Sequence, residues 1–223
     1  MLDRRVATFT EAIAGVANGA TILLGGFGGA GVPLGLCAAV IKAGLRDLTV
    51  VSNNAGSGDP DLSAMLTAGC VKKVICTYPK SPTSRVFADL YAEGKVGLEL
   101  MPQGTLVERM RCAGAGLGGF FTPVSAGTEL GAGKETRIID GREHVFEHPL
   151  RGDVALIRGK KADRLGNLTY NKLARNFCPS MAMAGKLVVA EVDEIVEVGE
   201  LDPEEIVTPG VFVDRIVLKG APL

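Results

Sequence analysis

The sequence predicts an α/β protein: an open, largely parallel sheet with helices on both faces and a β-hairpin insertion in its second half. Three observations predict it. Short apolar runs alternate with helical segments through the first half, the pattern of a parallel sheet covered on both sides. Glycine- and amide-rich loops follow those runs, as expected at the C-terminal strand ends where such sheets bind ligands. An Asp140-Gly141 turn between two strand-like segments in the second half marks a hairpin.

Taken in order, Phe9 to Asn18 reads as an amphipathic helix stopped by Asn18-Gly19. Ala20 to Leu24 is a buried strand running into Gly25-Gly26-Phe27-Gly28-Gly29-Ala30-Gly31. Pro33 opens a helix to Ala43, and Gly44 ends it. Asp47 to Ser52 is a second strand with Asn53-Asn54-Ala55-Gly56-Ser57-Gly58 at its end. Asp61 to Ala68 is a short helix and Val71 to Tyr78 a third strand. Ser84 to Glu93 is a helix, Leu98 to Met101 a fourth strand and Thr105 to Cys112 a helix. Gly114 to Gly133 is glycine-rich and poorly periodic. Arg137 to Phe146 is the hairpin. Asp153 to Ile157 and Lys186 to Glu191 are apolar strands, and Ile206 to Leu218 is strand-like around Pro209-Gly210. No internal repeat or linker interrupts the chain, so residues 1–223 read as one domain.

Composition narrows the function. Hydrophobic residues make up 47% of the 223, enough for a real core. The net charge of -1, from 24 basic and 25 acidic residues, argues against a nucleic-acid binder and against disorder. Without Trp and with 5% aromatics, a base-stacking platform is not expected. Five cysteines, with no C-x-x-C pair, read as reduced thiols of a cytoplasmic protein, mostly buried. No apolar stretch approaches the 18 or so residues of a membrane span, and no signal-type segment opens the chain.

Gly26 to Gly31 matches G-x-G-x-x-G between a strand and a helix. A nicotinamide fold would also place an acid at the end of the second strand. Here that end is Ser52-Asn53-Asn54, and Asp47 sits at the strand's start. The loop still offers backbone N–H groups to an anion or carbonyl. His144-Val145-Phe146-Glu147-His148 matches an inverted zinc motif but lies in a hairpin, where Glu147 points away from both histidines; no metal is expected. Gly127 to Glu135 has the wrong spacing for a phosphate loop. No catalytic triad can be assembled. The chain thus carries many amide and glycine donors but no evident nucleophile or base, as half of an active site would.

Gly25-Gly26-Phe27-Gly28, with Gly31 and Pro33 behind it, resembles the glycine signature of family I coenzyme A transferases, in their A-type subunit. Ser52 to Gly56, Pro102 to Leu106, Gly114 to Phe120, Gly166 to Tyr170, Ala174-Arg175-Asn176-Phe177 and Gly199 to Pro203 resemble family segments in the same order. The resemblance implies an open α/β fold and transfer of coenzyme A (CoA) from a donor thioester, commonly succinyl-CoA, to a 3-oxo acid. It implies a ping-pong course through a thioester on a glutamate of a B-type partner subunit. The enzyme would then be a two-chain heterotetramer of A2B2 type, with CoA thioester as substrate and no permanently bound cofactor. By the same resemblance Gly25, Gly26, Phe27, Gly28, Gly29, Ala30 and Gly31 approach CoA, and Gln103 donates into an oxyanion hole. Asn53 and Asn54 are candidates to hold the acid substrate. The loops around Asn53 and Tyr78 look most like the 3-oxoadipate enzymes of aromatic degradation, and Lys80 or Arg85 is expected to meet a distal carboxylate. Acetoacetate-type transfer, a sugar-phosphate sensor and a nicotinamide oxidoreductase stay open as alternatives.

Overall fold

The computed structural model describes residues 2–58 and 60–223. Eight strands form one sheet: β1 (Arg5–Val6), β2 (Thr21–Leu24), β3 (Leu48–Val51), β4 (Val71–Cys76), β5 (Gly97–Leu100), β9 (Gly152–Asp163), β10 (Gly185–Val196) and β11 (Arg215–Leu218). Their order is β1-β11-β10-β9-β2-β3-β4-β5, and every neighbouring pair is parallel. The chain builds outward in opposite directions from the β2–β9 boundary, so the crevice beyond these strand ends is the natural place for a ligand.

Helices cover both faces because alternate residues of each strand point to opposite sides. Ile22, Leu24, Val50, Val74 and Leu156 face one core. That core also holds residues of α1 (Phe9–Ala12), α2 (Leu34–Lys42), α3 (Leu62–Thr67) and α4 (Val86–Ala92). Leu23, Val51, Ile75 and Ile157 face the other, beneath α5 (Gln103–Gly114) and α6 (Cys178–Ala184). Each fully buried Leu, Ile or Val of these layers contributes roughly 1.5–3 kcal/mol. The five cysteines are buried and unpaired, as their scatter suggested.

A second, antiparallel sheet has the order β6-β8-β7, from β6 (Phe120–Thr122), β7 (Thr136–Ile139) and β8 (Arg142–Glu147). Its hairpin turns on Asp140 at φ 51° and Gly141 at φ 73°, the two positive angles that a tight type I′ turn requires. The His-x-x-Glu-His segment lies largely in β8: Phe146 packs edge-on to His148, while buried Glu147 pairs with Lys134 and Arg109. Arg109 of α5 also donates through Nε to the His148 carbonyl at 2.7 Å, tying the small sheet to the large one.

The structure departs from the sequence reading in four places. The first helix ends at Ala12 rather than Asn18, because Gly15, at φ 89°, turns the chain earlier than Asn18-Gly19. β9 and β10 run to twelve residues each, beyond their apolar halves, because their polar continuations pair with each other; Lys161 and Glu194 lie 2.9 Å apart there. From Ile206 to Leu218 only Arg215–Leu218 is strand, and Pro209 leads into a single 3-10 turn, Gly210–Phe212. Strands β1 and β6 and helix α6 went unread: the strands have two and three residues, and α6 lies between loops of no clear period.

Candidate active site

Four loops meet at the C-terminal edge of the large sheet, after β2, β3, β4 and β5. Between them lies a cleft of about 430 Å³, within the range of small-molecule sites. Phe27 and Gly28 come from the first loop, Asn53 and Asn54 from the second, Lys80 from the third and Gln103 from the fourth.

The glycine loop is a miniature hairpin. Phe27 N–H donates to the Ala30 carbonyl at 3.0 Å, and Ala30 N–H donates back to the Phe27 carbonyl at 3.1 Å. Its root is tightly packed. A Cβ on Gly25 would stand 2.7 Å from the Cys178 Sγ, and one on Gly31 would collide with the Ala174 carbonyl oxygen. Its tip is bare: at Gly28 and Gly29 an added Cβ would meet no described atom within 4 Å. Gly29 also has no positive φ, so nothing within the chain accounts for glycine there. Gly104, in the first turn of α5, is alike in both respects.

Gln103 is exposed and opens α5, whose first turn has no side-chain cap. The N–H groups of that turn therefore have no side-chain cap, and the helix dipole adds a positive bias at the end that carries Gln103. The Asn53 amide donates to Gln103 Oε1 at 3.2 Å and to Thr77 Oγ1 at 3.0 Å. With its oxygen engaged, Gln103 presents its NH2, which has no partner among the described residues. Asn53 itself is 5% exposed, and both its amide hydrogens are used within the chain. It lines the cleft and is also placed to orient Gln103. Asn54 Oδ1 accepts from Gly56 N–H at 2.8 Å, and its Nδ2 approaches the Gly28 carbonyl at 3.5 Å, joining the second loop to the tip of the first.

The two candidate cations separate. Lys80 lines the cleft and is its one charged residue among the described ones. Arg85 lines a different depression with Ser84 and Val86, and its side chain, 86% exposed, pairs through the guanidinium with Asp89 one helical turn on. No carboxylate, thiol or imidazole lines the cleft among the described residues. Cys178 lies behind the loop, and burial pushes its thiol up to about 11, far from a reactive thiolate. Asp47 precedes β3 at the opposite edge of the sheet, where no dinucleotide ribose could reach it from the glycine loop. No group of three potential ligands that could hold a metal exists among the described residues.

Two supports of the loop escaped the sequence reading. Asn176 accepts from Gly26 N–H at 3.1 Å and donates to the Ala30 carbonyl at 3.2 Å, so one side chain grips both arms. Glu191 of β10, almost fully buried, accepts from Gly35 and Leu36 N–H at 2.8 and 3.2 Å, capping α2 where Pro33 supplies no side-chain cap. Burial raises the Glu191 pKa, and Arg158 at 2.8 Å opposes that. Neither residue stands near the loop in sequence, and neither fits a local motif. Only the presence of Asn176 in a family-like segment hinted at a role.

The coenzyme A transferase family model matches residues 6–219. The A-type subunit of a 3-oxoadipate CoA-transferase from Pseudomonas putida is 54% identical over 97% of this chain and 94% of its own length. Its counterpart from Acinetobacter baylyi is 51% identical over 97% of this chain and 95% of its own length. The A-type subunit of a probable succinyl-CoA:3-ketoacid coenzyme A transferase from Bacillus subtilis is 45% identical over 97% of this chain and 90% of its own. Among solved structures, an acyl-CoA transferase from Escherichia coli O157:H7, in a thioester complex with CoA, superposes with a TM-score of 0.86 at 22% identity. That match takes in 98% of this chain, which spans half the length of that enzyme. Glutaconate coenzyme A-transferase from Acidaminococcus fermentans gives 0.81 at 23% identity, over 96% of this chain and 75% of that one. These two likenesses speak for the fold. With family model and curated relatives in agreement, this chain belongs to the coenzyme A transferase family, in its A-type branch.

Proposed function

We propose that this chain forms one half of a two-chain enzyme that moves CoA from succinyl-CoA to a 3-oxo acid, with 3-oxoadipate as the preferred acceptor. The observation that carries this reading is the composition of the cleft. It holds an oriented amide donor, an uncapped helix start, a bare glycine tip and one cation, but no carboxylate, thiol or imidazole among its described residues. The B-type partner supplies the missing carboxylate. Exposed Phe27 and Tyr78 at the rim, 48% and 60% accessible, give it apolar surface to cover.

The course of the reaction is the one that the family resemblance implies, with this chain's residues in the roles that the cleft allows. The partner's glutamate attacks the succinyl thioester carbonyl, and the resulting oxyanion is held by the Gln103 NH2. CoA thiolate leaves, forming a mixed anhydride. The thiolate then attacks the glutamyl carbonyl, releasing succinate and leaving a glutamyl-CoA thioester. The 3-oxo acid's carboxylate repeats the sequence in reverse. Donors fixed in advance at a forming oxyanion are worth about 3–4 kcal/mol each. Lys80 pairs with the distal carboxylate of a dicarboxylic acceptor. The bare tip at Gly28 and Gly29 lets the thioester approach the backbone closely. The five buried, unpaired thiols support a cytoplasmic enzyme, and no helix among the described residues is long and apolar enough to cross a membrane.

The test is co-purification of tagged chain from its source cells, followed by assay for succinyl-CoA-dependent thioester formation on 3-oxoadipate and on acetoacetate. A second chain of similar size, with activity only when both are present and higher on 3-oxoadipate, is expected. Higher turnover of acetoacetate would overturn the substrate assignment. A lone chain that transfers nothing and binds a small phosphorylated ligand would replace the whole reading with a sensor.

A further inference from the structure

We propose that Asn176 is a positioning residue for CoA transfer: its side-chain amide clamps the two arms of the glycine loop and sets the height of the loop's tip over the cleft. The inference rests on the function proposed above. Asn176 lies about 150 residues from the loop in sequence, yet its amide touches both arms. Oδ1 accepts from Gly26 N–H at 3.1 Å and from Phe177 N–H at 2.7 Å. Nδ2 donates to the Ala30 carbonyl at 3.2 Å and to the Ala174 carbonyl at 2.7 Å. Both hydrogens and both lone pairs of one amide are thus committed, two to the loop and two to the segment that carries Asn176.

The segment is shaped for this contact. Asn176 has φ 33° and ψ -116°, a backbone conformation that non-glycine residues rarely adopt and that costs of the order expected at a functional constraint. A glycine there would relieve that strain, but it would leave Gly26 N–H and the Ala30 carbonyl without this partner. The side chain is therefore what the position needs. Gly31 lets the two segments meet, since a Cβ on it would strike the Ala174 carbonyl and the Asn176 amide. Phe177 then packs edge-on against Phe27, with ring centroids 6.2 Å apart, so the aromatic at the cleft rim rests on the residue next to the clamp. The bare tip has no other side-chain hydrogen bond except the long one from Asn54 Nδ2 to Gly28, at 3.5 Å, among the described residues. Losing the clamp frees the tip while leaving Gln103, Lys80 and the oxyanion donors in place. A shift of about 1 Å in such a positioning element is enough to cost roughly a hundredfold in rate.

The experiment uses the assembled two-chain enzyme carrying Asn176→Ala, Asn176→Asp or Asn176→Gly. It reads kcat and KM for succinyl-CoA, the single-turnover rate of enzyme-thioester formation, and the melting temperature. Asn176→Ala and Asn176→Gly are expected to lower the single-turnover rate about a hundredfold, with the larger share in kcat. Asn176→Asp keeps the acceptor for Gly26 but sets a carboxylate against the Ala30 carbonyl, and an intermediate loss of about tenfold is expected. Asn176→Gly should melt no lower than Asn176→Ala, because it relieves the backbone. A glycine variant that turns over at the wild-type rate would overturn the proposal, as would losses that track the melting temperature alone. If Asn176→Ala does not fold, the glycine and aspartate variants decide by the same readouts. Wild-type enzyme inactive with every CoA thioester would instead refute the proposed function.

Discussion

The root and the tip of the glycine loop are built from the same residue for opposite reasons. At the root, Gly25 and Gly31 are small because Cys178, Ala174 and Asn176 press against them. At the tip, Gly28 and Gly29 face open space, and no described atom of the chain stands where their side chains would be. A glycine that the fold needs shows it by a close neighbour or by a positive φ, as Gly28 does at 57°. Gly29 shows neither. The comparison divides a single glycine-rich run into a packed root and an open tip.

The sharpest way to break this distinction is to put the same methyl group at each end. Gly31→Ala, at φ 73° and against the Ala174 carbonyl, should destabilise the chain by about 3 kcal/mol. For a chain of this length that is roughly 6–12 °C of melting temperature, and transfer activity should fall with it. Gly29→Ala should leave the melting temperature within about 1 °C while lowering kcat/KM for succinyl-CoA roughly tenfold. Equal thermal losses from the two variants would erase the contrast between root and tip.

The cleft floor offers the next test. Gln103→Ala removes the oriented donor but little packing, since Gln103 is exposed. A loss of about a hundredfold to a thousandfold in kcat at unchanged stability is expected. Asn53→Ala, which leaves Gln103 present but unguided, should cost less in kcat and more in stability, because Asn53 is buried and doubly bonded. If Asn53→Ala proved catalytically worse than Gln103→Ala, Asn53 would be the direct ligand after all.

The two cations make the mildest comparison. Lys80→Ala should lower the ratio of 3-oxoadipate to acetoacetate turnover by about tenfold or more, the worth of one charge-assisted hydrogen bond. Arg85→Ala should leave that ratio unchanged, because Arg85 opens onto a different depression and pairs with Asp89. A changed ratio in Arg85→Ala would mean that this depression also receives substrate.

What could be read from the chain beforehand divides along the same physical line. Strands β2, β3, β4 and β5 and the helices between them announced themselves through local apolar runs and through Pro33, Gly44 and Asp61 at their ends. Gln103 and the glycine loop were legible because they sit at strand ends and match family segments. The length of β9 and β10 was not, because their polar halves are held only by each other. Helix α6 was not, because its seven residues acquire their burial from β9 and α5, with Met181 fully enclosed.

By itself the sequence determined the fold class and the hairpin on Asp140-Gly141, and it pointed to the strand ends as the place for a candidate site. All of these depend on residue type and on spacings of a few positions, where backbone geometry leaves few choices. Only the tertiary structure decided that Lys80 and not Arg85 enters the cleft, that Asn53 turns Gln103 toward it, and that Asn176 and Glu191 hold the loop and its helix from distant parts of the chain. Those contacts join residues 50 to about 150 positions apart, or select between neighbours five positions apart by the direction of one turn. Hydrogen bonds of that kind form only once the sheet has brought their partners together, and no local pattern in the chain records them.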